Sequence, residues 1–300
     1  MEFGLALTQF TDRWQNLEGD ARLAEEVGLD SVWLADHLLR PGVPDGFIFE
    51  AWSALSYVAG ITERLRIGHL VNCVSFRNPG LLAKMAATLD VASGGRLDLG
   101  LGAGWNQPEY DAFGYEFPSP GDRRRYFVEY LDALLLLFGG GPVTYQGRYV
   151  SLSNAYCLPR PLQSPHPPIV VGTGGKMMRA IAGAKADVWN CPASLLPQLE
   201  SARSVVMEAA AGRPVRTTVQ IPVAVGRDQA EADVARELAS TNLAWMGDLS
   251  LIGISGTIDE AAKQVERYRD MGVDGFTALL PGSRMRPALI EAYGELASRF

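Results

Sequence analysis

The chain has 300 residues, 47% hydrophobic and 20% charged, which describes a globular chain able to bury a large core. Its net charge of −7 and pI near 5.1 argue against nucleic acid or anionic membrane as partners. No apolar run approaches the roughly 20 residues of a membrane span, and the N-terminal MEFGLALTQF lacks the features of a signal peptide. Cys73, Cys157 and Cys191, with His37, His69 and His166, are scattered without metal-ligand spacing, so no metal site is expected. An odd cysteine count suits a reducing compartment, and the cytoplasm is the expected location.

In chain order, Phe3 to Thr8 reads as a strand, and Leu17, Ala21, Ala24 and Val27 mark the inner face of the helix after it. Ser31 to Ala35 is the next strand, ending in Asp36-His37, and Phe49 to Ile61 the second helix. Arg66 to Cys73 is a largely apolar third strand of the kind covered on both faces. Asn78-Pro79 then supplies an N-cap and a proline for the first helical position. Leu81, Leu82, Met85, Leu89 and Ala92 space an apolar stripe that Ser93-Gly94-Gly95 terminates, and Arg96 to Gly104 returns as strand four. Residues 105–120 read as a loop without regular structure, a length that signals function or a lid. Gly121 to Phe138 is helical, and a hairpin around Gly147 is expected within Gly139 to Pro168. Ile169 to Val171, Asp187 to Asn190, Thr218 to Val225 and Gly275 to Leu279 supply strands five to eight. Helices are expected at Gly174 to Gly183, Leu195 to Ala211, from Gln229, at Thr257 to Met271 and at Arg286 to Arg299. Eight strands alternating with helices predict one (β/α)8 TIM barrel over residues 1–300, with insertions after strand 4 and before strand 5. An open doubly wound sheet is the alternative, weakened because no GxGxxG follows the first strand.

Barrel chemistry gathers at the C-terminal strand ends. These are Thr8-Gln9, Asp36-His37, Asn72-Cys73-Val74, Gly102 to Asn106, Gly172 to Lys176 and Asn190. His37 is an acid/base candidate that Asp36 would orient; otherwise Asp36 caps the next segment and His37 is an ordinary loop histidine. His69 and His166 read as structural. Gly172-Thr173-Gly174-Gly175-Lys176 opens a helix with glycines, a positive dipole end and one cation, which suits a phosphate or simply a tight turn. Trp105, Tyr110, Phe113 and Phe117 would cover a flat ligand or form a satellite core. Glu109 is a catalytic carboxylate or a surface charge, and Arg125 with Glu129 reads as a solvated i,i+4 pair.

The chain resembles the luciferase-like monooxygenase superfamily, most closely its coenzyme F420-dependent oxidoreductase branch. The matching stretches are SVWLADHL (31–38), RLRIGHLVNCVSFRNPGLLAKMAATLDVASGGRLDLGLGAGWNQPEYDAFG (64–114), RRRYFVE (123–129), YQGRYVSL (145–152), PPIVVGTGGKMMRAIAGAKADVW (167–189) and YRDMGVDGF (268–276). The resemblance implies a flavin-type ring over strands three and four and a cofactor phosphate at Gly172, Thr173, Gly174, Gly175 and Lys176. It places Asp36 and His37 at the reactive ring edge, Asn72, Cys73 and Val74 behind the ring, and Gly104 and Trp105 beside it. A non-proline cis peptide is implied between Cys73 and Val74. Two departures stand out. His69 replaces a small residue or threonine, and Gly104-Trp105 replaces a Gly-Glu, which leaves Glu109 or His37 to manage the proton.

The implied activity is hydride transfer between F420 and a small organic substrate. The alternatives are an FMN-dependent monooxygenase and a non-catalytic flavin-binding barrel. An anionic oligoglutamate tail distinguishes F420 from FMN, and Arg77, Lys176, Arg179 and Arg123 to Arg125 are available to meet it. A homodimer with small-molecule partners is expected.

Overall fold

The computed structural model describes residues 1–282 and 284–300. The chain runs β1 (Glu2–Ala6), α1 (Trp14–Glu26), β2 (Ser31–Leu34), α2 (Ala51–Ile61), β3 (Arg66–His69), β4 (Asn72–Cys73), α3 (Pro79–Ala92) and β5 (Leu97–Gly102). It continues through α4 (Gln107–Phe113), α5 (Pro120–Phe138), β6 (Val143–Gln146), β7 (Ser151–Ala155), β8 (Ile169–Gly172), α6 (Lys176–Lys185), β9 (Val188–Cys191) and α7 (Leu199–Ala210). The last elements are β10 (Arg216–Gly226), α8 (Gln229–Asn242), α9 (Leu249–Ile252), β11 (Ile254–Thr257), α10 (Ile258–Asp270), β12 (Gly275–Leu279) and α11 (Arg286–Ala297).

Eight parallel strands close in the order β1-β2-β3-β5-β8-β9-β10-β12, with β12 pairing back onto β1. This is the expected (β/α)8 barrel. The β6–β7 hairpin is an antiparallel outgrowth between β5 and β8, as its turn residues foretold. Apolar burial drives the closure: all of LDLGLG in β5 is buried, and α2 turns Trp52, Ala54, Leu55 and Val58 inward. Helix α3 begins as its sequence dictates, with the Asn78 side chain accepting from Gly80 N at 2.7 Å and Pro79 in the first turn. Its buried face carries Leu82, Ala83, Ala86, Ala87 and Leu89, so Leu81 and Ala92 of the expected stripe lie outside it.

Three stretches depart from expectation. The segment 105–120 is not all loop, because α4 occupies Gln107–Phe113 and Gly114 ends it with φ 73°. Strand β10 outruns the barrel, and its tip Val223–Gly226 pairs with β11, the end of an excursion through α8 and α9. Arg125 and Glu129 do not pair. Arg125 binds Asp122 at 2.7 Å, while the Glu129 carboxylate accepts from the backbone N–H of Arg148, Tyr149 and Val150 and so holds the hairpin turn.

Arg96 fastens two helix ends. Its guanidinium donates to the carbonyls of Ala59 in the last turn of α2, of Thr62 and Leu65 just after it, and of Ser93 after α3, at 2.7–2.9 Å. Helix C-termini leave carbonyls unpaired, and a cation there meets both the oxygens and the dipole. Arg96→Ala should therefore cost about 2–3 kcal/mol of unfolding free energy, measured by urea titration.

Candidate active site

A cavity of about 460 Å³ opens at the C-terminal ends of the barrel strands. Its floor is set by a bulge between β3 and β4, where the Leu70–Val71 peptide is cis. The family resemblance placed that bond at Cys73–Val74, three residues too late. Strand pairing explains the position: β3 leaves β2 at His69, the chain bulges through Leu70–Val71, and β4 rejoins on β5. The bulge fits because three facing residues are glycines. A Cβ on Gly100 would lie 1.8 Å from the His69 carbonyl oxygen; on Gly102 it would lie 2.5 Å from Val71, and on Gly172 2.8 Å from Val71. The glycines of LDLGLG and IVVG thus make room for the cavity floor.

Asp36 does not orient His37. Its carboxylate takes the Arg77 guanidinium in a two-point pair at 2.6 and 3.0 Å and accepts from Cys73 N at 2.9 Å. Arg77 continues to Glu50 at 3.0 Å, whose carboxylate caps α2. Asp36 therefore braces the β4 wall. The partner of His37 is Glu109, from the first turn of α4: Nδ1 lies 2.9 and 3.1 Å from its two oxygens. Backbone N–H of Leu38 donates to the same carboxylate at 3.0 Å. Burial works against the charged Glu109 carboxylate, but the His37 contacts and the Leu38 and Leu39 N–H groups outweigh it and hold its pKa below the usual value. An ionised Glu109 assigns the proton of Nδ1 to the shared bond and leaves Nε2 for chemistry at the wall. The His37 side chain is 15% exposed and Glu109 3%.

Cys73 is a cavity residue, but not a reactive one. Burial pushes its thiol up to about 11, and Sγ lies 2.9 Å from the Tyr110 hydroxyl. The aromatic group splits in two. Tyr110 packs with Phe76 (5.3 Å) and Phe117 (4.9 Å) as a satellite core, and Phe113 is exposed. Trp105 stands at the cavity, 66% exposed, with its ring 5.6 Å edge-on from His37. Asn72 is buried, taking Trp52 Nε1 at 2.7 Å and donating to the Gly100 carbonyl at 2.9 Å. His69 lies outside the cavity lining, stacked on Trp52 at 4.5 Å, and burial keeps it neutral with a pKa lowered to about 4. His166 bonds the Pro167 carbonyl and does not line the cavity.

Gly172, Thr173 and Gly174 line the cavity beside the start of α6. Gly175 is the N-cap of α6 and carries no side-chain cap, and Lys176 follows as the first helical residue, exposed. Gly175 and Lys176 stand at the rim, and Val74 points into the main core. Arg123 and Arg124, in the first turns of α5, also line the cavity. Arg124 meets Met177 Sδ, which brings the starts of α5 and α6 together. Arg123 covers the Phe117 ring at 4.0 Å. Among the described residues, neither arginine nor Lys176 has a carboxylate within salt-bridge distance, whereas Arg125 and Lys185 do. Uncapped helix N–H groups, a glycine turn and unneutralised cations on one rim fit a phosphate with further negative charge. The flat apolar floor of Leu70, Val71 and Ala103 fits an aromatic ring.

Ten sequence-predicted residues thus meet around one cavity: Asp36, His37, Asn72, Cys73, Gly104, Trp105, Glu109, Gly172, Thr173 and Gly174. Sequence reading missed Leu70, Val71, Met178, Pro192 and Gln220 on the wall, and gave Arg77 to the cofactor instead of to Asp36. The three small residues facing Val71 were the available signal for the bulge.

A His–carboxylate pair on one wall and unpaired cations on another, at the strand ends of a (β/α)8 barrel, mark a small-molecule site. Residues 1–275 match the luciferase-like monooxygenase family, and the chain belongs to it. An uncharacterized protein of Mycobacterium tuberculosis is 30% identical over 293 residues, covering 89% of this chain and 97% of that one. An F420-dependent glucose-6-phosphate dehydrogenase of Amycolatopsis mediterranei is 29% identical over 257 residues, covering 82% and 74%. Among solved structures, an F420-dependent secondary alcohol dehydrogenase in complex with an F420-acetone adduct superposes with TM-score 0.83 over 97% of each chain, at 23% identity. Among the described residues, no helix is long and apolar enough to cross a membrane.

Proposed function

We propose that the protein is an oxidoreductase that transfers a hydride between coenzyme F420 and a small organic substrate in this cavity. The observation that carries the proposal is the pairing of His37 with Glu109 at one wall and of the α6 start with Arg123 and Arg124 at another. F420, when bound, supplies a ring carbon that gives or takes the hydride. Gly172 to Lys176 would hold its phosphate, and Arg123, Arg124 and Lys176 would meet its anionic tail. Val71, Asn72 and Cys73 would back the ring, and Asp36 would position that wall through Cys73 N. His37 would hold or release the proton that must accompany the hydride when an alcohol and a carbonyl interconvert, with Glu109 fixing its tautomer. Trp105 would exclude water beside it. The phosphate turn serves FMN equally; cations in excess of one phosphate, and relatives named for F420, support the deazaflavin.

The test compares F420 with its ring-and-ribityl fragment, which lacks phosphate and tail, by quenching of ring fluorescence. Arg124→Ala combined with Lys176→Ala should weaken F420 about 10-fold or more and leave the fragment unchanged. Added salt should weaken F420 in the wild type more than in the variant. Equal losses on both ligands, or none, would remove the rim from the site.

A further inference from the structure

One polar feature of the cavity belongs to neither the acid/base pair nor the cationic rim. Gln220 of β10 lines the wall, half-buried, and its side-chain amide makes no hydrogen bond to any described residue. Beside it, Asn190 of β9 is 3% exposed and also lines the cavity. Its Nδ2 donates to Thr218 Oγ1 at 2.9 Å, which fixes the amide and leaves Oδ1 as a free acceptor. In the closed strand order, β9 lies four strands from β2 in either direction, so this wall faces that of His37 across the barrel. The neighbouring side chains Met178 and Pro192 are apolar and carry no competing charge.

A half-buried amide on a cavity wall with no protein partner keeps its donor and acceptor available to a ligand. A carboxamide offers one N–H donor and one C=O acceptor side by side. An imide presents the complementary pair, N–H next to C=O, without charge. We propose that Gln220, with the Asn190 carbonyl beside it, recognises the imide edge of the cofactor's ring. The proposal rests on the reading of the cavity as an F420 site. It makes Gln220 a recognition residue for the ring, separate from the anchors of phosphate and tail.

The experiment titrates F420, and F420 methylated at the imide nitrogen, into the wild-type protein, Gln220→Leu and Gln220→Met, following ring fluorescence. Wild type should prefer F420 over the methylated form by about 10-fold, since methylation removes the donor. In Gln220→Leu, F420 should weaken by a similar factor, and the preference should disappear. Melting temperatures without cofactor should match the wild type; Gln220→Met, closer in shape, serves if the leucine variant does not fold. A preference that survives in the folded variants, or F420 affinity equal to wild type, overturns the role and returns Gln220 to the substrate or to solvent. If the wild type binds neither ligand, the F420 reading falls and this inference with it; if it binds F420 and the variants bind equally well, only this inference falls.

Discussion

Replacing His37 by alanine should lower F420-linked turnover by about 10²–10⁴-fold while leaving cofactor affinity nearly unchanged. The imidazole lies on the cavity wall and packs against Trp105 rather than the main core, so its loss removes a proton carrier without opening a large void. Glu109→Gln separates orientation from charge. The amide oxygen still accepts from Nδ1, but the anion is gone, so turnover should fall by less than in His37→Ala. The sign for stability follows from the lowered pKa of Glu109. Its contribution is present above the unfolded-state pKa and is lost as pH falls through the depressed folded value. Steady-state turnover of the two variants measures the first effect, and urea unfolding across pH the second. An alanine variant with wild-type turnover would make His37 an ordinary loop residue.

Arg286→Met should lower the unfolding free energy by about 3–5 kcal/mol. Arg286 is 7% exposed and opens α11. Its Nε lies 2.6 Å from Asp20 of α1, and its other nitrogens donate to the carbonyls of Leu280 and Ala6 at 2.7 Å. Asp20 also takes the N–H and hydroxyl of Thr8. One guanidinium therefore ties the last helix to the first strand and helix at the seam where β12 meets β1. Its removal strands a buried carboxylate and two carbonyl oxygens. The double variant Asp20→Asn with Arg286→Met should recover part of the loss, because the uncompensated charge is gone. Urea unfolding decides it; a single-variant loss under about 1 kcal/mol would put the pair among ordinary surface bridges.

What the sequence makes legible depends on the range of the interaction. Elements written in local rules appeared where expected: Asn78-Pro79 started α3, Gly147 sat in a hairpin turn, and the buried runs became barrel strands. Alternation of strand and helix then fixed the architecture, and reading strand ends alone gathered most of the cavity residues. Partners set by tertiary contact were not legible. Asp36 and His37 are adjacent, yet alternate direction sends one to Arg77 and the other to Glu109, which stands 72 residues away on a helix the loop composition had hidden. Local spacing misled for Arg125 and Glu129, since the hairpin supplied Glu129 with three N–H donors that outcompete a solvated pair. Arg286 and Asp20 sit 266 residues apart, and nothing in either neighbourhood announces the bond.

The proposed activity requires that the cavity hold F420. Titrating the wild-type protein with F420 and with FMN, under one buffer and salt, tests it most directly through quenching of each ring's fluorescence. Saturable F420 binding clearly tighter than that of FMN is expected, weakened by Gln220→Leu at the ring and by Lys176→Ala at the rim. Saturable FMN binding with no response to F420 would contradict it and make the protein a flavin-dependent member of the family.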